Sequence, residues 1–64
     1  MNTRESFGQQ IVNARKNKGL SQEELAELAG ITRNNLSRIE NGKYSPGLDI
    51  LLKIGDALGA ELKY

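Results

Sequence analysis

The 64-residue chain contains neither cysteine nor histidine. Disulfides, thiolate catalysis and the usual zinc-ligand sets are therefore excluded, and the fold must hold by packing alone. Long apolar runs are missing as well. The amino-terminal stretch MNTRESFGQQIVNARKNKG has no hydrophobic segment of secretory length, and nowhere do 18 apolar residues follow one another. The expectation is a soluble, cytoplasmic protein with no membrane partner. No phosphate-loop motif and no inward-facing carboxylate pair is evident, and 64 residues leave little room for a pocket, so no catalytic residue, cofactor or metal ligand is assigned. A chain of this length buries only about 60% of the surface its unfolded form exposes, so every apolar residue matters.

Net charge is small and the charges are uneven in placement. The formal net charge is +1, which by itself argues neither for nor against a nucleic-acid partner. Over residues 21–30 there are three carboxylates, Glu23, Glu24 and Glu27, and no base. Over residues 31–43, Arg33, Arg38 and Lys43 stand against Glu40 alone, and Arg15, Lys16 and Lys18 lie in the preceding helical segment. Cations grouped by segment suit a binding face, although solvated helix surfaces can look the same.

Four helices follow from apolar period and capping signals. Asn2 or Thr3 caps the first, Phe7, Ile11 and Ala14 with flanking Val12 form its stripe, and Gly19 ends it before Leu20 drops into the core. Ser21 followed by Glu24 is a capping-box signature, which predicts a second helix over 22–29 burying Leu25, Leu28 and Ala29. Gly30 stops that helix, Thr32 starts the next, and Leu36 and Ile39 face inward before the Asn41-Gly42 stop. The fourth follows YSPG and carries Leu48, Leu51, Leu52, Ile54 and Leu58 up to Gly59. Two short helices joined by a tight turn must cross at a large angle, with small Ala26 at the crossing and Gly30 supplying a positive φ. The fold class is therefore all-α, a small four-helix domain over residues 1–59 with a helix-turn-helix at about 22–41. The tail AELKY, residues 60–64, is a candidate short β-strand.

The pattern R...GLSQEELAELAGIT....LSRIENGK.SP...LLKI..ALG resembles the Cro/C1-type family of bacterial and phage regulators, also called the xenobiotic-response-element family, whose fold is lambda-repressor-like. The resemblance covers most of the chain, with Gln22, Ala26, Gly30, Leu36 and Ile39 in register. It implies a DNA-binding transcriptional regulator whose third helix enters the major groove of double-stranded DNA. Carried over by position, the base readers are Thr32, Arg33, Asn34, Ser37 and Arg38. Their chemistry fits: arginine pairs with guanine N7 and O6, asparagine with adenine N7 and N6, and a threonine methyl meets the thymine methyl. Simpler readings stand beside these, with Thr32 only a cap, Asn34 only solvated and Arg33 only on phosphate. The phosphate contacts are Gln22, Asn35, Asn41, Lys43 and Tyr44. Asn41 also suits a plain helix cap. Tyr44 replaces the basic residue often found there, so either its hydroxyl meets phosphate or its ring packs. The resemblance further places Arg15 and Glu40 as an internal ion pair, whose contribution would be about 0–1 kcal/mol if it is exposed.

Dimerisation is assigned to Ile50, a position often polar in that family, and to the tail residues Ala60, Glu61, Leu62, Lys63 and Tyr64. Two tails paired antiparallel about Leu62 would set Glu61 of one copy opposite Lys63 of the other. The competing reading is a monomer, or a frayed segment of a longer protein. The expected partners are double-stranded DNA and a second copy, reading an inverted repeat. Two related roles use the same fold: the antitoxin of a toxin pair, with the toxin as an added partner, and the controller of a restriction-modification operon. A module that has kept the fold and lost DNA is the alternative of another class. The presence of Gln22, Asn41 and Lys43 speaks against it.

Overall fold

The computed structural model describes residues 3–59. Four helices follow one another: α1 (Thr3–Asn17), α2 (Gln22–Ala29), α3 (Arg33–Glu40) and α4 (Leu48–Leu58). There is no strand among the described residues, and the candidate strand of the tail lies outside them. Thr3 is the first residue of α1 and not its cap. Asn2, the other candidate, lies outside the described residues.

Local chemistry accounts for the helix limits. Ser21 is extended at φ −79° and its Oγ accepts the Glu24 N–H at 3.0 Å, while the Ser21 N–H donates to Glu24 Oε1 at 2.9 Å. This reciprocal box satisfies two of the donors that open a helix. The backbone bond from Ser21, aided by the one to its hydroxyl, also holds the Glu24 carboxyl below its ordinary range. Thr32 repeats the arrangement more simply, its Oγ1 accepting the Asn35 N–H at 3.1 Å. The ends of α1 and α2 share one device. In α1 the Leu20 N–H reaches the Arg15 carbonyl and the Gly19 N–H that of Lys16, both at 3.0 Å; in α2 Ile31 reaches Ala26 at 2.9 Å and Gly30 reaches Glu27 at 3.2 Å. These crossed bonds require a left-handed residue just past the helix, and Gly30 sits at φ +69°. Leu20 and Ile31, the residues that follow, turn back onto the core.

The core consists of Phe7 and Ile11 from α1, Leu25, Ala26 and Ala29 from α2, Leu36 and Ile39 from α3, and Ile54 and Leu58 from α4. Helix α2 packs on α4 and α3, and α1 packs on α3. Leu28 is not part of this core and is 61% exposed. At about 100° per residue, Leu25, Ala29 and Ala26 define the inward stripe and Leu28 falls roughly 60° beyond its Leu25 edge. Helix α4 divides in the same way. Ile54, Leu58, Ile50 and Leu51 face the protein, whereas Leu48 and Leu52 are 70% and 55% exposed. Ile50, assigned above to an intersubunit contact, is half-buried because it lies one turn before Ile54 on the same face.

Gly8 was not singled out by the sequence pattern, yet it fixes how α1 meets α3. A methyl group there would lie 2.5 Å from the Glu40 carbonyl oxygen and 2.6 Å from that of Ile39. The two helices approach so closely that only a residue without Cβ fits.

Candidate nucleic-acid interface

Helix α3 has eight residues and divides cleanly. Leu36 and Ile39 are fully buried, and Glu40 is 8% exposed. Thr32, Arg33, Asn34, Asn35, Arg38, Asn41, Lys43 and Tyr44 are exposed, and Ser37 is half-buried. With Leu36 pointing inward, the 100° step puts Asn34, Arg38 and Asn41 on the opposite side. Arg33 stands at the flank nearest α2, where it lines a shallow hollow with Gln22, Asn34 and Ser37. The Asn41 amide lies 3.4 Å from Ser37 Oγ on that outward strip.

The acidic residue of the segment is withdrawn from this face. Glu40 receives Arg15 Nε on Oε2 at 2.8 Å and Arg15 Nη2 on Oε1 at 3.3 Å, while Gln22 Nε2 donates to the same Oε1 at 2.8 Å. The remaining terminal nitrogen of Arg15, Nη1, donates to the Leu20 carbonyl at 2.9 Å. This pair is not an exposed one: the side chains of Arg15 and Glu40 are 12% and 3% accessible. Burial makes the loss of one partner costly even where the intact pair adds little net stability. The result is electrostatic as well as structural. The exposed charges of α3 and the turn after it are Arg33, Arg38 and Lys43, all positive, with Glu40 neutralised beneath them.

Gln22, a phosphate contact by its position in the resemblance, is also tied to Glu40, a bond that no spacing in the chain signals. One amide hydrogen is committed to Glu40, which leaves the second hydrogen and the carbonyl oxygen for the outside. Thr32 is engaged as the α3 cap through its hydroxyl. Tyr44 is 40% exposed, and the Arg38 guanidinium carbon lies over its ring at 5.6 Å from the centroid. The tail positions Ala60, Glu61, Leu62, Lys63 and Tyr64 lie outside the described residues. Among the described residues no cluster of three or more acidic side chains is placed to hold a metal ion, and no helix is long and apolar enough to cross a membrane.

The family profile described as helix-turn-helix matches residues 11–64, most of the chain. The chain belongs to the Cro/C1-type helix-turn-helix family. Members of this family are DNA-binding transcription regulators. An HTH-type transcriptional regulator of Methanothermobacter thermautotrophicus is 51% identical over 47 residues, covering 73% of this chain and 68% of the relative. The immunity repressor protein of Bacillus phage phi105 is 40% identical over 57 residues, 89% of this chain but only 40% of the repressor. Among solved structures, the restriction-modification controller C.AhdI of Aeromonas hydrophila superposes with a TM-score of 0.86 at 40% identity, over 89% of this chain and 86% of the controller. The helix-turn-helix chain thus spans about two thirds of the archaeal relative's length and less than half of the phage repressor's.

Proposed function

We propose that this helix-turn-helix domain reads a specific sequence in double-stranded DNA by laying the outward face of α3 in the major groove, and so regulates transcription. The observation that carries the reading is the segregation within α3, where the apolar side chains and the one carboxylate are inward while cations, amides and hydroxyls are outward. Arg33, Asn34 and Arg38 have the donor and acceptor sets that discriminate bases, and Thr32 and Ser37 complete the reading strip. Gln22, Asn35, Asn41 and Lys43 flank the strip and orient the domain on phosphates.

A second copy fits α4. Leu48 and Leu52 give that helix an apolar outward strip in continuity with the partly buried Leu51, and a two-fold contact there, extended by the tail, would set two α3 helices about one DNA turn apart, roughly 34 Å. The operator would then be an inverted repeat.

The test is selection from a random duplex pool at about 150 mM salt, where screening is near physiological. Enrichment of an inverted repeat is the expected result. Enrichment of a single half-site retains base reading and removes the two-fold contact, and absence of any enriched sequence overturns the reading.

A further inference from the structure

Tyr44 stands where the family often carries a basic residue, and the structure gives its ring a partner. The Arg38 guanidinium lies over the ring at 5.6 Å, within the range in which a cation is drawn to an aromatic face. How the chain arrives there follows from the end of α3. The Lys43 N–H donates to the Arg38 carbonyl at 2.8 Å and the Gly42 N–H to that of Ile39 at 3.1 Å, with Gly42 at φ +72°. This is the crossed pair of bonds that closes α1 and α2, with one difference in chemistry. After α1 and α2 the residue turned back by the cap is apolar and joins the core, Leu20 and Ile31. After α3 it is exposed Lys43, bonded to the backbone of Arg38, and the next residue is Tyr44. The cap thus ties the chain just before Tyr44 to the backbone of the arginine that the ring meets.

A π-face differs from other partners an arginine can have. It attracts the cation without consuming N–H donors, and among the described residues the Arg38 side chain makes no hydrogen bond. We propose that Tyr44 is a specificity-determining positioning residue: its ring holds the Arg38 guanidinium across the outward face of α3 with the donor fork free, so that Arg38 reads a guanine in the half-site. Arginine's planar fork suits both the stacking and the paired contact to N7 and O6, which a lysine ammonium could not supply. This inference rests on the DNA-reading function above and goes beyond it, because it assigns the ring and not the hydroxyl of Tyr44, and assigns it to one base position instead of to affinity in general.

The experiment is the random-duplex selection repeated with Arg38→Ala, Tyr44→Leu and Tyr44→Phe, each first shown by thermal melting to be folded. Arg38→Ala identifies the base column that Arg38 reads. Tyr44→Leu is expected to flatten that same column by about two- to fivefold, the range of an exposed cation–π contact, and to leave the columns read by Arg33 and Asn34 unchanged. Tyr44→Phe, which keeps the ring, is expected to retain the wild-type preference. A uniform loss of binding in both Tyr44 variants would assign the hydroxyl to phosphate and overturn the proposal, as would a Tyr44→Leu protein with unaltered base preference. If the wild-type chain enriches no sequence, the DNA-reading function fails first and this inference with it; the two failures are told apart by that control.

Discussion

Replacing Gly8 with alanine separates two opposing physical expectations. Helix propensity alone predicts a gain, since glycine inside a helix is about 0.5–1 kcal/mol less favourable than alanine. The packing of α1 on α3 predicts a loss. The added methyl would lie 2.5 and 2.6 Å from two carbonyl oxygens and 2.9 Å from the Glu40 carbonyl carbon, all backbone atoms that no rotamer change can move. Restoring ordinary contact requires the helices to part by most of an ångström, and overpacking of that kind costs about 1–3 kcal/mol. Net of the propensity gain, Gly8→Ala should destabilise by about 1–2 kcal/mol. For a domain of this size, with total stability on the order of 3–10 kcal/mol, that is a substantial share. It corresponds to a fall in melting temperature of roughly 4–8 °C per kcal/mol. Thermal and urea unfolding followed by circular dichroism provide the measurement. A variant that melts at or above the wild-type temperature would show that α1 and α3 do not touch as described, and the argument for Gly8 would be wrong.

Glu40→Ala removes the acceptor shared by Arg15 and Gln22 and should cost about 3 kcal/mol in urea titrations, far more than the loss of an exposed pair. Ser21→Ala should cost about 1 kcal/mol by removing the α2 cap, again measured by urea midpoint. Because the Glu24 carboxyl titrates lower in the folded chain than in the unfolded one, its bond to Ser21 stabilises above the ordinary carboxylate range and is lost as pH falls through the folded value. The stability difference between wild type and Glu24→Ala should therefore narrow on acidification, and a difference independent of pH would refute that linkage. For DNA binding, the log-log dependence of affinity on salt should have a slope of about −0.9 per phosphate neutralised, and Lys43→Ala should make it shallower by about one such step while weakening all sequences alike. A slope unchanged in that variant would remove Lys43 from the phosphate contacts.

The helix limits were legible because they are set by local chemistry: Ser21 with Glu24, Thr32 before the third helix, glycine after each of α1, α2 and α3. The core was legible wherever apolar residues recur on one face, as with Phe7 and Ile11 or Leu36 and Ile39. Leu28 was misplaced because a three-residue spacing from Leu25 allows either edge of the stripe, and alanines at 26 and 29 fill the inward side instead. The tertiary contacts were harder to see. Gly8 left a faint signal, an isolated glycine inside a helical pattern, but its reason is the backbone of a helix some thirty residues away. The Gln22 bond to Glu40 and the Arg38 contact with Tyr44 leave no periodic trace, since they depend on how elements are set against one another. In the candidate interface, residue types on α3 were readable as chemistry, while the withdrawal of Glu40 from that face required the fold.

The two sides of α3 answer to different demands, and that has a consequence for how such a domain changes over time. Anchoring falls to Leu36, Ile39 and the carboxylate of Glu40, together with the bare edge of α1 at Gly8. None of Arg33, Asn34 or Arg38 takes part in it. On the proposed function, a population of such chains can therefore drift in those three side chains with little penalty in folding, and one scaffold can be readdressed to new targets by a handful of exchanges. Transplanting an unrelated α3 surface onto this framework, with positions 8, 15, 22, 36, 39 and 40 retained, should yield a folded domain with a new address.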